Sequence, residues 1–146
     1  MDFVIIANAW AAGIANPTSK HRIAMDLARR GHRVLWIEGA GMRQPRLTAG
    51  TDRMRLGRKL AAAFQGAHRA DGAGADGIWV VSPLLWPFPQ WAWARRFNGW
   101  LVRRAALRHG GRIGFRDPIL VNYVPVLAEA MWKDKCKGQS AESKAT

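Results

Sequence analysis

Two apolar runs near the start of the chain have the pattern of buried β-strands. Asp2–Ala7 and His32–Ile37 are short, nearly continuous apolar segments with several β-branched residues, which is typical of strands buried on both faces of a sheet. Between them, Thr18 or Ser19 can cap a helix that ends in two arginines followed by Gly31, a common order of residues at the carboxyl end of a helix. This sequence of strand, helix and strand predicts a βαβ unit.

The rest of the chain continues the alternation of strands and helices. The first helix is expected to bury its apolar residues, Ile23, Ala24, Leu27 and Ala28. Further along, the pattern predicts a helix over Asp52–Phe64, a loop over Gln65–Gly77, a strand over Ile78–Ser82, a helix over Trp91–Arg108 that stops at Gly110-Gly111, a strand over Pro118–Asn122 and a helix beginning over Val126–Met131. This alternation predicts an α/β fold of three layers, a parallel sheet with helices on both faces. The usual order of four such strands is 3-2-1-4.

The chain divides into one domain and a short tail. A length of 146 residues is sufficient for one domain with its own core. Residues 1–131 hold all of the predicted elements, whereas Trp132–Thr146 contain four of the six lysines and have no apolar period. We therefore expect residues 132–146 to be a disordered or non-native tail that does not pack on the domain.

Positive charge dominates the composition. The chain has 23 Lys and Arg residues against 10 Asp and Glu residues, a formal net charge of +13, and such an excess concentrates anions near the surface. Nucleic acid, anionic lipid headgroups and phosphorylated small molecules are all compatible partners. Seventeen of the basic residues are arginine, and Ala and Gly are abundant, so a GC-rich genome explains the same excess.

Few residues are suited to metal, disulfide or membrane-spanning roles. Cys136 is the single cysteine, which excludes an internal disulfide and a cysteine-based metal cluster. The four histidines lack metal-ligand spacing, and we expect neither a metal nor a cofactor. The apolar run Ile78–Ala94 contains three prolines and is short for a membrane span, and no signal-peptide pattern opens the chain. These features predict a cytoplasmic location.

Polar residues follow the predicted strands at their carboxyl ends, where ligands bind in parallel sheets. Glu38 follows the second strand and Asn122 ends the fourth. The loop after the first strand contains Gly13, which permits close backbone approach, and the next helix begins near Lys20 and His21, where free N–H groups attract anions. No dinucleotide fingerprint, P-loop or nucleophile elbow is present. A capped helix after an ordinary loop explains the same residues.

Five of the eight tryptophans lie between residues 79 and 100. In the predicted third helix, one face carries Trp93, Phe97, Trp100 and Leu101, and another carries Arg95, Arg96 and Arg103. Three interpretations stay open. The aromatic face can pack on the sheet; the segment Trp86–Arg104 can lie on an anionic membrane surface, with rings at headgroup depth and guanidinium groups on lipid phosphate; or the segment can bind nucleic acid, for which no recognised motif is present.

Six segments of the chain resemble bacterial glycosyltransferases of family 4. The segments are Asp2-Phe-Val-Ile-Ile-Ala-Asn-Ala-Trp10, Asn16-Pro-Thr-Ser-Lys-His21, Leu27-Ala-Arg-Arg-Gly-His-Arg-Val-Leu-Trp-Ile-Glu-Gly39, Ser82-Pro-Leu84, Phe97-Asn-Gly-Trp100 and Val121-Asn-Tyr-Val-Pro125. Together they extend the resemblance over residues 1–131. The pattern Leu-Ala-x-x-Gly-His-x-Val recurs across the whole superfamily, whereas the Asn-Pro-Thr-Ser-Lys-His run is narrower.

The resemblance implies a GT-B architecture, in which two Rossmann-like domains face each other across a cleft. Residues 1–131 would be the N-terminal, acceptor-side domain of an enzyme that transfers a sugar from a nucleotide-sugar to a lipid-linked or saccharide acceptor in cell-envelope or exopolysaccharide synthesis. The donor site would lie mostly in a second domain that is absent here. The chain alone is then expected to be inactive and to expose apolar surface over Trp86–Trp100 and Val126–Met131.

The same resemblance assigns candidate residues on the acceptor side. His21 is the candidate catalytic residue, because its place early in a helix would aim it at the cleft. The candidate substrate-binding residues are Asn8, Trp10, Gly13, Asn16, Lys20, Glu38 and Asn122. Two other functions stay open: a non-catalytic basic module that binds nucleic acid or an anionic membrane surface, and a small nucleotide-binding or response-regulator-like domain. The lack of paired acidic residues after the first strand argues against a phospho-acceptor site.

Overall fold

The computed structural model describes residues 1–7, 10, 17–38, 66–70, 75–86, 90–125 and 127. In chain order the elements are β1 (Asp2–Ala7), α1 (Ser19–Arg29), β2 (Arg33–Glu38), β3 (His68–Arg69), β4 (Ile78–Val81), α2 (Ala92–Ile113) and β5 (Ile119–Asn122). The predicted helix over 52–64 and the predicted tail over 132–146 lie outside the described residues, as does most of the predicted helix over 126–131. Within the described part, the predicted strands and helices are confirmed, with differences at their ends.

Five strands form one sheet in the order β3-β4-β2-β1-β5. The strands β4, β2, β1 and β5 run parallel to their neighbours, in the order expected from the sequence. β3 pairs antiparallel with the outer edge of β4, so the sheet is mixed, and the expectation of a wholly parallel sheet with a loop over 65–77 is wrong here. The outer edge of β4 has backbone groups that need partners, and the N–H of Ala70 donates to the carbonyl of Ile78 at 2.9 Å.

Alternate positions of the strands build a core on each face of the sheet. One cluster contains Ile5, Ala7, Val34, Trp36, Ile78 and Val80 together with Ala24 and Ala28 of α1. The other contains Val4, Ile6, Leu35, Ile37 and Val81 together with Leu85, Leu127 and Val102 of α2. The two described helices therefore cover opposite faces, and the fold is α/β in three layers. Because Leu127 is fully buried, the expected exposure of the segment 126–131 is wrong at this residue.

The buried face of α1 contains Ala24 and Ala28, as expected, and Leu27 packs partly against the core, but Ile23 does not belong to it. Ile23 is 44% exposed, whereas His21 is only 4% exposed. The buried residues His21, Ala24 and Ala28 are spaced i, i+3 and i+7, which places them on one side of a helix. The two alanines bring the helix close to the sheet, and the ring of His21 fills the space at its first turn.

Helix α2 continues past the two glycines that were expected to end it. The last helical residue is Ile113, and Gly114 follows in the left-handed conformation at φ 79°. The N–H of Gly114 donates to the carbonyl of Gly111 at 3.1 Å, and the N–H of Phe115 donates to the carbonyl of Gly110 at 2.9 Å, the two bonds of a Schellman motif. Gly110 also faces the Phe115 side chain, which an added Cβ would approach to 3.7 Å. That distance is an ordinary van der Waals contact, so the space at Gly110 does not require a glycine, and Gly114 terminates the helix.

The aromatic residues of α2 point away from the sheet. The helix buries Ala94, Asn98, Gly99, Val102 and Gly110, whereas Trp93, Phe97 and Trp100 are between 42% and 53% exposed. The interpretation that the aromatic face packs on the sheet is therefore wrong, except that Leu101 packs partly against the core. Exposure of the segment Trp86–Trp100, expected from the resemblance, is confirmed for its described residues Trp86, Trp91, Trp93, Phe97 and Trp100.

A buried carboxylate joins the start of β1 to the start of β2 and to the end of α2. Asp2 accepts two hydrogen bonds of 2.8 Å from the Arg33 guanidinium and one of 2.7 Å from the backbone N–H of Arg116. The same guanidinium donates to the carbonyls of Ile113 and Gly114. Burial alone would raise the pKa of Asp2, but the Arg116 N–H and the Arg33 guanidinium outweigh it and hold that pKa below its ordinary value of 3.8.

We expect Asp2→Asn to lower the free energy of unfolding by about 1–2 kcal/mol, because the amide has one acceptor oxygen and its NH₂ group cannot accept the remaining bonds from Arg33 or the Arg116 N–H. A group whose folded pKa is depressed stabilises the fold above its unfolded pKa and loses that contribution as the pH falls through the folded value. The difference between wild type and variant in urea unfolding should therefore be full at pH 6 and shrink below pH 3.8. Asp26→Asn, at an exposed pair with Arg30, is the control and should cost about 0.5 kcal/mol or less. A difference that stays constant down to pH 2 would contradict this role.

Candidate binding edge at the carboxyl ends of the strands

The parallel strands β1, β2, β4 and β5 all end at one edge of the sheet, and α1 begins there. This carboxyl edge carries Glu38 at the end of β2, Ser82 directly after β4, and Asn122 at the end of β5. Ligands of open α/β sheets bind at such an edge, because connections leave it in different directions and open a crevice. The strands themselves are apolar, so the polar side chains of this part of the chain collect at their ends.

Glu38 ties the ends of three strands together. One carboxylate oxygen accepts the backbone N–H of Trp10 at 2.6 Å, and the other accepts the hydroxyl of Ser82 at 2.6 Å. Trp10 follows β1 and Ser82 follows β4, so the carboxylate links both neighbours of β2. Glu38 is half-buried, and a carboxylate has about four acceptor positions, two of which remain after these bonds. It both positions the edge and retains capacity to accept further hydrogen bonds.

His21 lies in an aromatic cluster beneath this edge. Its ring stacks on Trp36 at a centroid distance of 4.8 Å and packs at 5.4 Å from Trp10, which itself meets Trp36 edge-on at 5.0 Å. The hydroxyl of Thr18 is 2.8 Å from Nδ1 of His21. With 4% of its surface exposed, His21 is a packed residue, and this geometry favours a positioning role. Its catalytic role stays a prediction.

The hydroxyl of Thr18, one of the two residues expected to cap α1, hydrogen-bonds to His21 of this cluster instead. Thr18 occupies the N-cap position, but its side chain makes no hydrogen bond to the helix backbone, because it pairs with the ring of His21. The first turn contains no acidic residue. The positive end of the helix therefore faces the carboxyl edge without a carboxylate of its own.

Lys20 and Asn122 extend the edge toward β5. The ammonium group of Lys20 lies 5.4 Å from the ring centroid of Tyr123, a cation–π contact. The Oδ1 of Asn122 accepts the N–H of Val124 at 2.8 Å, which shapes the turn after β5. Lys20 is half-buried, so its cation is held beside the strand end instead of extending freely into solvent.

The structure brings all five of the described candidates to one edge. Trp10, Lys20, His21, Glu38 and Asn122 lie there, whereas Asn8, Gly13 and Asn16 lie outside the described residues. Sequence reasoning did not select Ser82, Trp36 and Tyr123 as site residues. The position of Ser82 directly after a strand is the signal that could have identified it, while the contacts of Trp36 depend on packing between distant segments.

Neither a metal site nor a membrane span emerges from the described part of the chain. Across the ranges that the structure describes, no three side chains of His, Cys, Asp or Glu group together in a way that could hold a metal ion. Over the same ranges, neither helix has the combination of length and apolar character needed to cross a bilayer.

Comparisons with known proteins add no relative. No protein-family model, no curated protein and no solved structure matches the chain. The resemblance to family 4 glycosyltransferases therefore rests on the six segments quoted for it.

We expect Glu38→Ala to lower the free energy of unfolding by about 2–3 kcal/mol, because it leaves the N–H of Trp10 and the hydroxyl of Ser82 without their acceptor. Glu38→Gln is the matched control. Its amide can accept from Trp10 and donate to the Ser82 oxygen, so the loss should be about 1 kcal/mol. Urea unfolding followed by near-ultraviolet circular dichroism measures both, since Trp10 and Trp36 lie beside the link. Equal losses for the two variants would contradict the two-sided role of this carboxylate.

Proposed function

We propose that this chain is the Rossmann-like, acceptor-side domain of a GT-B glycosyltransferase, and that it binds a saccharide or a lipid-linked saccharide at the carboxyl edge of its sheet. The observation that carries the proposal is the group of polar side chains at this edge, which Glu38 holds together by linking the ends of β1, β2 and β4. The resemblance of residues 1–131 to family 4 enzymes supports it.

The chemistry of the edge suits a neutral, hydroxyl-rich ligand. A saccharide offers many hydroxyl groups, each of which donates to carboxylate or amide oxygens and accepts from ammonium or amide hydrogens. Glu38 has acceptor capacity beyond its two bonds to the chain, and Lys20 and Asn122 add donors on the β5 side. The half-buried position of all three residues reduces their freedom before a ligand binds.

In this proposal, a second domain supplies most of the contacts to the nucleotide-sugar. The present chain then contributes the acceptor side of the cleft and does not transfer sugar by itself. In this proposal His21 and Trp10 position the edge and do not contact the ligand. The packing of His21 on Trp36 fixes the start of α1 against β2. Lys20, one residue earlier, is thereby directed toward Tyr123.

The proposal is tested by titrating the purified chain with a panel of methyl hexosides and recording backbone amide shifts by NMR. We expect millimolar binding of at least one hexoside, with the largest shifts at the carboxyl edge, at Lys20, Glu38 and Tyr123. Lys20→Ala should weaken that binding by about threefold or more, because it removes a charged donor. The control, Arg29→Ala at the far end of α1, should leave it unchanged.

Nucleotide-sugars provide the second half of the test. UDP-hexoses and GDP-hexoses should bind the chain more weakly than about 1 mM and should not be turned over. Micromolar affinity, equivalent to about 8 kcal/mol, would require a formed donor site and would contradict the two-domain proposal, as would turnover. Shifts confined to the amino edge of the sheet would contradict the acceptor site. If no hexoside of the panel binds, the acceptor proposal fails, and the alternative of a non-catalytic basic module replaces it.

A further inference from the structure

The outward face of α2 and the segment before it form an exposed aromatic surface. We call Trp86, Trp91, Trp93, Phe97 and Trp100 the aromatic face. Each is between 41% and 53% exposed. Trp93, Phe97 and Trp100 are spaced i, i+4 and i+7, so they lie in one row on the side of the helix opposite Ala94, Asn98 and Val102. An exposed row of this length is uncommon on a protein that has no partner for it.

The rings of the aromatic face are arranged by contacts within the chain. Trp93 stacks with Trp91 at 5.6 Å and packs against Trp86 at 5.5 Å, and Phe97 stacks with Trp100 at 5.9 Å. The side-chain amide of Asn98, which is fully buried, accepts the N–H of Trp86 at 2.7 Å and donates to its carbonyl at 3.0 Å. This pair of bonds clamps the segment after β4 onto the helix. The face is therefore preorganised.

Positive charge surrounds the aromatic face. Residues 77–116 contain seven arginines and no Asp or Glu. The helical spacing places Arg96 and Arg103 on one side of the aromatic row and Arg108 on the other, while Arg104, four residues after Trp100, lies at the end of the row. The guanidinium of Arg104 also lies over the ring of Trp100, 5.4 Å from its centroid.

Beyond the aromatic row, the surface of the same helix carries an open basic patch. The patch consists of Trp100, Arg103, Arg104, Leu107 and Arg108. Leu107 is 68% exposed within it. Guanidinium groups beside exposed apolar side chains suit a surface that presents phosphates next to aliphatic chains.

We propose that the aromatic face and its flanking arginines dock this protein onto an anionic lipid bilayer. The rings would lie at the depth of the headgroups, the guanidinium groups would pair with lipid phosphates, and the helix would lie in the plane of the surface. The charge pattern and the exposed rings carry this inference, which does not depend on the proposed glycosyltransferase function.

Two features favour a bilayer over other occupants. A second copy of the chain would bring two arginine-rich helices together, with no Asp or Glu within residues 77–116 to offset them, and like charges oppose that contact. A single-stranded nucleic acid can stack on tryptophan, but it makes little use of an exposed aliphatic side chain such as Leu107, which is 68% exposed on this helix. Lipid provides both the anionic layer and the aliphatic layer.

Docking through this face would orient the candidate binding edge. Helix α2 follows the carboxyl end of β4 after ten residues and ends beside Arg33 at the start of β2. Its aromatic end therefore lies at the carboxyl edge of the sheet, and its far end lies at the amino edge. A bilayer beneath the aromatic end would sit next to the edge that holds Glu38 and Ser82.

The test measures sedimentation of the purified full chain with two kinds of vesicle. One contains phosphatidylcholine alone, and the other also contains about 30 mol % phosphatidylglycerol, which gives the surface a negative potential. We expect binding to the anionic vesicles, a blue shift of tryptophan emission, and quenching by brominated lipid. Reversing two flanking charges, Arg96→Glu with Arg104→Glu, should weaken partitioning by about tenfold or more. Removing two rings, Trp93→Ala with Trp100→Ala, should also weaken it by about tenfold and reduce the quenching.

Matched variants on the opposite helix separate this surface from general basicity. Arg22→Glu with Arg29→Glu makes the same change of charge at exposed positions of α1, and Ile23→Ala removes an exposed apolar side chain there. Partitioning of both controls should stay within about twofold of wild type. The proposal is overturned if wild type does not bind anionic vesicles, if the control pair loses as much as the α2 pair, or if the ring variant binds as wild type does. Tighter binding to a single-stranded oligonucleotide, lost with the same rings, or self-association through this face would overturn it as well.

Discussion

The two central strands, β1 and β2, are apolar on both faces, and each face has to be covered by a helix for these residues to leave water. Val4 and Ile6 pack toward α2, while Ile5 and Trp36 pack toward α1. This constraint leaves no room for polar side chains within the strands, so they occur at the strand ends. The carboxyl edge becomes the natural place for a binding site because the middle of the sheet is closed to one.

Carboxylates hold the sheet at both of its ends, in different ways. At the amino edge, Asp2 accepts two hydrogen bonds from the cation of Arg33 and one from a backbone N–H, and these bonds hold its pKa below the ordinary value. At the carboxyl edge, Glu38 receives a neutral N–H and a neutral hydroxyl and keeps lone pairs available. The absence of a cationic partner among its described contacts is what makes Glu38 suited to a ligand and Asp2 suited to stability.

Helix α2 has small residues on its inner face, which packs on the sheet, and aromatic residues on its outer face, which is exposed to solvent. Small residues such as Ala94 and Gly99 bring the inner face onto the sheet, while the outer tryptophans stay in solvent among arginines. Because Asn98 fixes Trp86 against the helix, the same buried amide that supports the core also arranges the outer surface. The packing of the core and the arrangement of the outer rings are linked through that one side chain.

The sequence by itself determined the four parallel strands, the helix start near Ser19 and the polar character of the carboxyl edge, because apolar runs and strand ends are local signals. The order of those strands agrees with the usual order for such a fold, but local signals alone do not fix it. Tertiary structure decided which face of each helix is buried. His21 is buried in place of Ile23 because its ring stacks on Trp36 at the first turn of α1. In α2, alanine and glycine are buried in place of the aromatic residues because small side chains allow the helix to approach the sheet closely. It also decided that β3 adds to the edge of β4 and that Glu38 reaches Trp10 and Ser82. These outcomes depend on contacts between residues far apart in the chain, which periodicity along the chain does not record.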